Sequence, residues 1–296
     1  MSEVRPRAEA RLRRAFASAG VRGWLHACDV DEPGRAVEID GGHRVPLAST
    51  FKLHVAIAAL RLIDDGELEA RETVRVGARR TAGPTGLGAM RDPVRMTVRD
   101  LMYLMLAVSD NAACDALYDR IGAEAIDDAV QALGLRSTAV RGCCRDFNRS
   151  MLEDTAARDT AEAFARLREP GALDRLAVLD PARTSCSTPR EMSRLLCAVW
   201  RDQAAAPESC AELRRLMGLQ VWPHRLAAGF PADDAVVSGK TGTLPSLRIE
   251  VGVVEPGDGR RYAVSVFTRS ASSRLNLPQA DAAIGTAARI AVDALA

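Results

Sequence analysis

The sequence predicts a mixed α/β fold of the α+β kind. An antiparallel sheet is covered by helices from both chain ends, and an all-helical lobe is inserted between its strands. Three observations predict it. Strand-like runs lie only towards the two ends of the 296-residue chain, Gly/Pro/Asp turns join neighbouring runs, and the long middle carries helical spacing. At 47% hydrophobic content the chain can bury a sizeable core, and its length suits one large domain or two closely packed ones.

The elements follow in order. Glu3 to Ser18 reads as an Arg-rich surface helix closed by Gly20. Two strands follow, Arg22–Val30 and Arg35–Ile39, across the turn Asp31-Glu32-Pro33-Gly34. The middle, rich in Ala, Leu, Arg and Glu, holds helices near 50–64, 98–107, 111–121, 123–132, 155–168, 189–202 and 208–217. Strands return at Ala235–Thr241, Leu247–Glu255 and Arg261–Thr268, the last two joined by Pro256-Gly257-Asp258-Gly259, and an amphipathic helix runs from Pro278 to Leu295. Residues 1–46 and 219–296 are thus expected to build the sheet domain and 47–218 the helical insert, with a ligand site in the cleft between them.

Composition excludes several functions. Forty basic and thirty-nine acidic residues leave a net charge of +1 with both signs interspersed, which argues against a nucleic-acid binder; 4% aromatic content offers little for base stacking. No apolar run is long enough to span a membrane. Seven cysteines without a CxxC pair fit small buried hydrophobes in a reducing interior. Arg13-Arg14 lacks a following apolar h-region, so the expected location is cytoplasmic, or exported if the N-terminus is trimmed. His26, His43, His54 and His224 show no metal-ligand spacing, so neither a metal nor a cofactor is expected. The expected state is a monomer acting on a small molecule.

Of the forty basic residues only Lys52 and Lys240 are lysines. A chain that uses Arg for nearly every positive charge keeps Lys where a proton must leave or a compact charge is needed. Lys52 follows Ser49 by one helical turn, and a lysine there can accept the serine proton, whereas Ser49 alone would be an ordinary helix cap. Ser109-Asp110-Asn111 lies between two helices, and Asn occurs only at 111, 148 and 276. Lys240 stands in Ser238-Gly239-Lys240-Thr241-Gly242-Thr243 at the end of a strand, where flanking glycines admit a ligand to the edge. Singly each motif has a plain structural explanation. Chance placement of all three, using both lysines, has a probability of roughly 10⁻⁵ at this composition.

Ser-x-x-Lys, Ser-Asp-Asn and Lys-Thr-Gly in this order and spacing resemble the class A β-lactamases along most of the chain. Thr188-Pro189-Arg190-Glu191-Met192 is similar to the helix start after that family's omega loop. The resemblance implies the β-lactamase-like fold, Ser49 as acylated nucleophile and Lys52 as its proton acceptor. It further implies Ser109 as relay to the leaving nitrogen, Asn111 on the substrate amide, and Lys240 with Thr241 on the substrate carboxylate. The oxyanion hole would be the N–H groups of Ser49 and Thr243. Arg248 is either a second carboxylate partner or one more surface arginine.

One expected residue is missing. The family carries a deacylating Glu in an Arg-x-x-Glu-x-x-Leu-Asn-like loop; counting from Leu133-Gly134-Leu135 puts it at about Cys144. Asp146 is the nearest carboxylate and Glu153 a weaker alternative, with Asn148 available to hold water; Asp146 paired with a neighbouring arginine is the structural alternative. The stretch up to Thr188 is some twenty residues longer than the family pattern implies. Three functions therefore stand: a serine hydrolase opening β-lactams, the same chemistry on another amide, ester or D-amino-acid peptide, and a binder or sensor that stays acylated.

Overall fold

A computed structural model of the chain describes residues 4–231 and 235–296. The helices are α1 (Val4–Ser18), α2 (Lys52–Asp64), α3 (Val98–Ala107), α4 (Asn111–Ala132), α5 (Cys144–Thr155), α6 (Thr160–Arg166), α7 (Ala172–Arg175), α8 (Pro189–Trp200), α9 (Pro207–Gly218) and α10 (Pro278–Leu295). The strands are β1 (Val21–Asp29), β2 (Ala36–Ile39), β3 (Val45–Pro46), β4 (Thr73–Val76), β5 (Val94–Thr97), β6 (Cys186–Ser187), β7 (Ala235–Leu244), β8 (Leu247–Pro256) and β9 (Tyr262–Ser270). Glu3, the expected start of the first helix, lies outside the described residues.

The main sheet has the order β2-β1-β9-β8-β7, every pair antiparallel, so both ends of the chain contribute to one sheet as the sequence predicts. Alternation along each strand sorts its side chains between two cores. Leu25, Ala27, Val264 and Val266 pack with Leu12 and Phe16 of α1 and Ile284 and Leu295 of α10. Trp24, Cys28, Val251, Val253 and Phe267 face the other way, into the larger core with Leu195, Leu196 and Val199 of α8. Each fully buried aliphatic or aromatic side chain contributes about 1.5–3 kcal/mol, so two-sided burial of the sheet dominates its stability.

Several boundaries differ from the sequence expectation. The two helices expected at 111–121 and 123–132 are present as the two halves of α4, separated at Gly122, whose φ of +82° is not helical. The stretch expected to be loop before residue 155 is the helix α5, started by a reciprocal cap between Cys143 and Asp146 and stopped by Ala156 at φ +51°. That left-handed stop splits the expected 155–168 helix, leaving α6 from 160. Between α5 and β6 the chain folds as α6, α7 and a short 3₁₀ turn. Four short strands, β3 to β6, went unpredicted because two to four residues carry too little periodicity.

At the sheet edge the fit is tight. A Cβ on Gly285 of α10 would stand 2.5 Å from the Arg225 carbonyl oxygen and 2.8 Å from the Gly229 nitrogen. In an open helix Gly→Ala stabilises by about 1 kcal/mol. Here overpacking against backbone reverses the sign, so Gly285→Ala should destabilise by about 1–3 kcal/mol, read as a lowered urea midpoint at unchanged slope.

Candidate active site

Three segments distant in sequence converge at the cleft: the turn leading into α2, the α3–α4 junction, and β7. Lys52, the first residue of α2, is fully buried. Its Nζ donates to the Ser109 carbonyl (2.7 Å), Asn111 Oδ1 (2.8 Å) and the Asp110 carbonyl (3.2 Å), with Ser109 Oγ at 3.4 Å. Lys240, also fully buried, donates to Ser109 Oγ (2.9 Å) and to the Thr241 carbonyl (2.9 Å). The Ser109 hydroxyl oxygen therefore accepts from a lysine, and its own proton remains to be given elsewhere. Burial first, and the nearby Lys52 charge second, push the Lys240 ammonium well below the usual lysine value.

Backbone strain accompanies this convergence. Ser109 has φ +60° and Ala48, immediately before Ser49, φ +44°, both left-handed for residues with a Cβ. Each costs on the order of 1–3 kcal/mol and persists because its surroundings fix it. For Ser109 the fixing contact is the Lys52 bond to its carbonyl. Next to it, Asp110 caps α4 through Oδ1, accepting from Ala112 N (2.8 Å) and Ala113 N (3.1 Å), while its Oδ2 accepts from Leu87 N. The middle residue of Ser-Asp-Asn is thus structural, and its neighbours on either side meet the two lysines.

Ser49 lies in the 3₁₀ turn Ala48–Phe51 and opens on a cavity of about 510 Å³. Asn111, Cys144, Asn148, Thr243 and Arg274 supply polar groups to its wall; Phe147, Met151, Phe164, Leu244 and Leu275 supply apolar ones. Neither a carboxylate nor an imidazole lines it among the described residues. β7 is the edge strand facing the Ser49 turn: a Cβ on Gly242 would meet the Leu47 carbonyl oxygen at 3.0 Å. Thr241 N–H points off that edge and donates to Gln220 Oε1 (2.7 Å). By the two-residue alternation of a strand, Thr243 N–H points off the same edge, towards the Ser49 turn.

Buried charge braces the strand from behind. Arg225 donates to the carbonyls of Gly242 (2.9 Å) and Ile249 (2.8 Å), to Thr243 Oγ1 (2.8 Å) and to Asp281 (2.7 Å). Glu250, almost fully buried, accepts from Leu226 N (2.6 Å) and Gln220 Nε2 (2.7 Å), and burial pushes its carboxyl up. Gln220 links that carboxylate to the Thr241 amide. Neither Arg225 nor Gln220 stands out in the sequence, one of thirty-eight arginines and an unremarked amide.

Several sequence expectations change here. Lys240 and Thr241 lie behind the cavity wall rather than on it, and the Lys240 ammonium faces Ser109. Arg248 lines the cavity, as a carboxylate partner would, and at 2% exposed it is not a surface arginine. Its Nη1 donates to the Leu244 (3.1 Å) and Leu247 (2.9 Å) carbonyls and its Nη2 to Leu275, so most of its donors brace the rim. The exposed Arg274, unmarked by sequence reasoning, lines the cavity and makes no ion pair with a described residue.

Asp146 requires the largest correction. Its Oδ2 accepts from Cys143 N (2.9 Å) and Cys143 Sγ (3.2 Å), its Oδ1 from Arg149 (2.6 Å), and it does not line the cavity. It is the third residue of α5, where a carboxylate caps its own helix. Glu153 points to solvent from the same helix. Laid on Arg-x-x-Glu-x-x-Leu-Asn, residues 141–148 keep Arg141 and Asn148 at their spacing and place Cys144 where the Glu would stand. Cys144 and Asn148, one helical turn apart, both reach the cavity. A hydrogen bond from Cys114 and the charge of Lys52 hold the Cys144 thiol below its ordinary value against the opposing effect of burial, while burial pushes Cys114 well up.

Comparison with known proteins shows the family and the fold. The model of the "Beta-lactamase enzyme family" matches residues 7–295. The chain is 36% identical over 294 residues to the "Beta-lactamase regulatory protein BlaB" of Streptomyces cacaoi, covering 94% of each. It is 29% identical to the extended-spectrum β-lactamase PER-1 of Pseudomonas aeruginosa, over 79% of this chain and 71% of that one. A β-lactamase structure from Sphaerobacter thermophilus superposes with a TM-score of 0.78 at 24% identity, covering 97% of this chain and 96% of the other.

Since Asp146 serves only its helix, Asp146→Ala should cost about 1 kcal/mol of stability, as loss of a cap does. Any turnover of an acylated Ser49 should proceed at the wild-type rate. A turnover loss of tenfold or more in folded Asp146→Ala would reinstate it as a base.

Proposed function

The chain belongs to the β-lactamase enzyme family, and from that premise we propose that it opens β-lactam amides by acylation of Ser49. Ser49 Oγ attacks the lactam carbonyl carbon and its proton passes to Lys52. The tetrahedral oxyanion is received by the N–H groups of Ser49 and Thr243. Ser109, whose oxygen is held by Lys240, gives its proton to the departing ring nitrogen and is reprotonated from the lysine pair. The Asn111 side-chain amide, oriented through its Oδ1 bond to Lys52, presents its N–H₂ to the substrate amide. Lys240 supplies positive potential behind the wall, and Arg274 at the rim, with Arg248 beside it, is placed for the substrate carboxylate.

The observation that carries this reading is the Ser109 hydroxyl, 2.9 Å from Lys240 Nζ and 3.4 Å from Lys52 Nζ, beside the cavity onto which Ser49 opens. Hydrolysis of a non-β-lactam amide or ester would use the same groups, and nothing in the cavity favours it over a β-lactam. The fate of the acyl-enzyme is a separate matter. A deacylating water needs a base, and among the described residues the cavity wall offers Cys144 and Asn148 where a carboxylate is expected. This favours a long-lived acyl-enzyme, a chain that captures a β-lactam more readily than it clears one. The relative named as a regulatory protein is consistent with such a role.

The test is intact mass against time after mixing with benzylpenicillin. A single adduct should form on wild type, map to Ser49, and be absent from Ser49→Ala. It should persist for many minutes, and Cys144→Glu should shorten its life. Lys52→Arg, which keeps the charge but cannot take the proton, should slow acylation by about 10²–10⁴-fold. Hydrolysis surviving in Ser49→Ala would overturn the proposal, as would an unlabelled wild type.

A further inference from the structure

Cys144 combines features found at none of the other six cysteines. All seven are free and buried, yet Cys144 is the only one on the wall of the Ser49 cavity, where a small solute can reach it. It is the first residue of α5, at the positive end of that helix's dipole. The Lys52 amine lies near enough for its charge to favour the Cys144 thiolate. Cys114, on α4, places a second sulfur within 4.8 Å of it.

The two sulfurs are unequal in a useful way. Cys144 opens on the cavity, whereas Cys114 is fully buried behind it, where burial favours the protonated thiol. An attacking thiolate beside a protonated resolving thiol is the arrangement of an oxidant-sensing pair. Asp115 lies in the same cluster, which suggests a metal site at first sight. Its carboxylate is already engaged by the Thr81 hydroxyl and Arg145 N (3.3 Å), and the Lys52 amine, itself a donor, stands beside the cluster.

We propose that Cys144 is a modification site for hydroperoxides, with Cys114 as its resolving partner. The Cys144 thiolate attacks the distal oxygen of ROOH; an S–O bond forms, the O–O bond breaks, and RO⁻ leaves as ROH with a proton from solvent. The Cys114 sulfur then attacks the Cys144 sulfenic sulfur. An S–S bond forms, the S–O bond breaks, and hydroxide leaves as water with the Cys114 proton. Two electrons pass from the two sulfurs to one hydroperoxide. The disulfide would tie the start of α5 to α4 directly beneath Asn111 and draw the sulfur away from Lys52. This inference concerns the sulfurs alone and is independent of whether Ser49 is acylated.

The experiment treats the reduced full-length protein with stoichiometric hydrogen peroxide, blocks remaining thiols with N-ethylmaleimide, and maps disulfides by peptide mass. A Cys114–Cys144 disulfide, reversed by dithiothreitol, is expected. In Cys114→Ala, dimedone should label Cys144, at a rate at least about tenfold above any other cysteine. Cys28 and Cys197, whose sulfurs lie 3.6 Å apart away from the Ser49 cavity, are the internal control. A disulfide confined to Cys28–Cys197 would overturn the proposal. So would dimedone labelling spread evenly over the cysteines, or absent from Cys144, in protein whose circular dichroism matches wild type.

Discussion

Two buried lysines sharing one serine hydroxyl set the geometry of the cleft. Lys52 arrives from the helical side and Lys240 from the sheet edge, and both donate to Ser109. Bringing two like charges this close is unfavourable unless acceptors surround them. The carbonyls of Ser109, Asp110 and Thr241 and the Asn111 amide supply those acceptors. The strained α3–α4 junction meets this requirement: with Ser109 at φ +60°, its carbonyl and hydroxyl both reach the lysines. A chain otherwise committed to arginine keeps lysine at these two places because a guanidinium would fill the space and could not release its proton.

The next layer serves that centre by holding the sheet edge still. β7 has a partner on one side only, and its free edge must keep N–H groups exposed towards the Ser49 turn. An edge left open invites pairing with other chains. Here Gln220 occupies the Thr241 amide, and Arg225 ties β7 to β8 and to α10 through Gly242, Ile249 and Asp281. The close packing of α10 at Gly285 against the Arg225 carbonyl belongs to the same brace. The C-terminal helix thus covers the sheet and also fixes the strand that forms one wall of the cavity.

What was legible in the sequence follows from how local each signal is. The long strands show through a two-residue period with turns between them, and α3, α8 and α10 through their helical period and caps, so the sheet and its helical cover could be read. The three motifs could be read because the chain is so poor in Lys and Asn that their coincidence stands out. Short strands such as β3 and β6 exist only because tertiary contacts pair them, which no local period records. Asp146 was misleading for a related reason. Proximity in sequence made it the nearest carboxylate, but its direction is set by a helix start at Cys143, and cysteine is not a residue that announces a cap. Arg225 was invisible among thirty-eight arginines, since only burial distinguishes it.

Cys144 is where sequence pattern and geometry together say most about chemistry. A carboxylate at that place would offer two oxygens to orient a water against the acyl ester, with Asn148 holding it from the next turn. A thiol offers one weak acceptor on a shorter side chain, and its conjugate base is soft, better matched to an electrophilic sulfur or peroxide oxygen than to a water proton. The groups proposed for the acylation step, Ser49, Lys52, Ser109 and the β7 edge, do not depend on that carboxylate and are all present. On the proposed reading, its absence separates two halves of one reaction: bond opening would keep its machinery, and release would lack its base. The same exchange sets a sulfur beside Lys52 and Cys114. A position that would otherwise clear the active site then becomes one whose chemistry depends on the oxidation state around it.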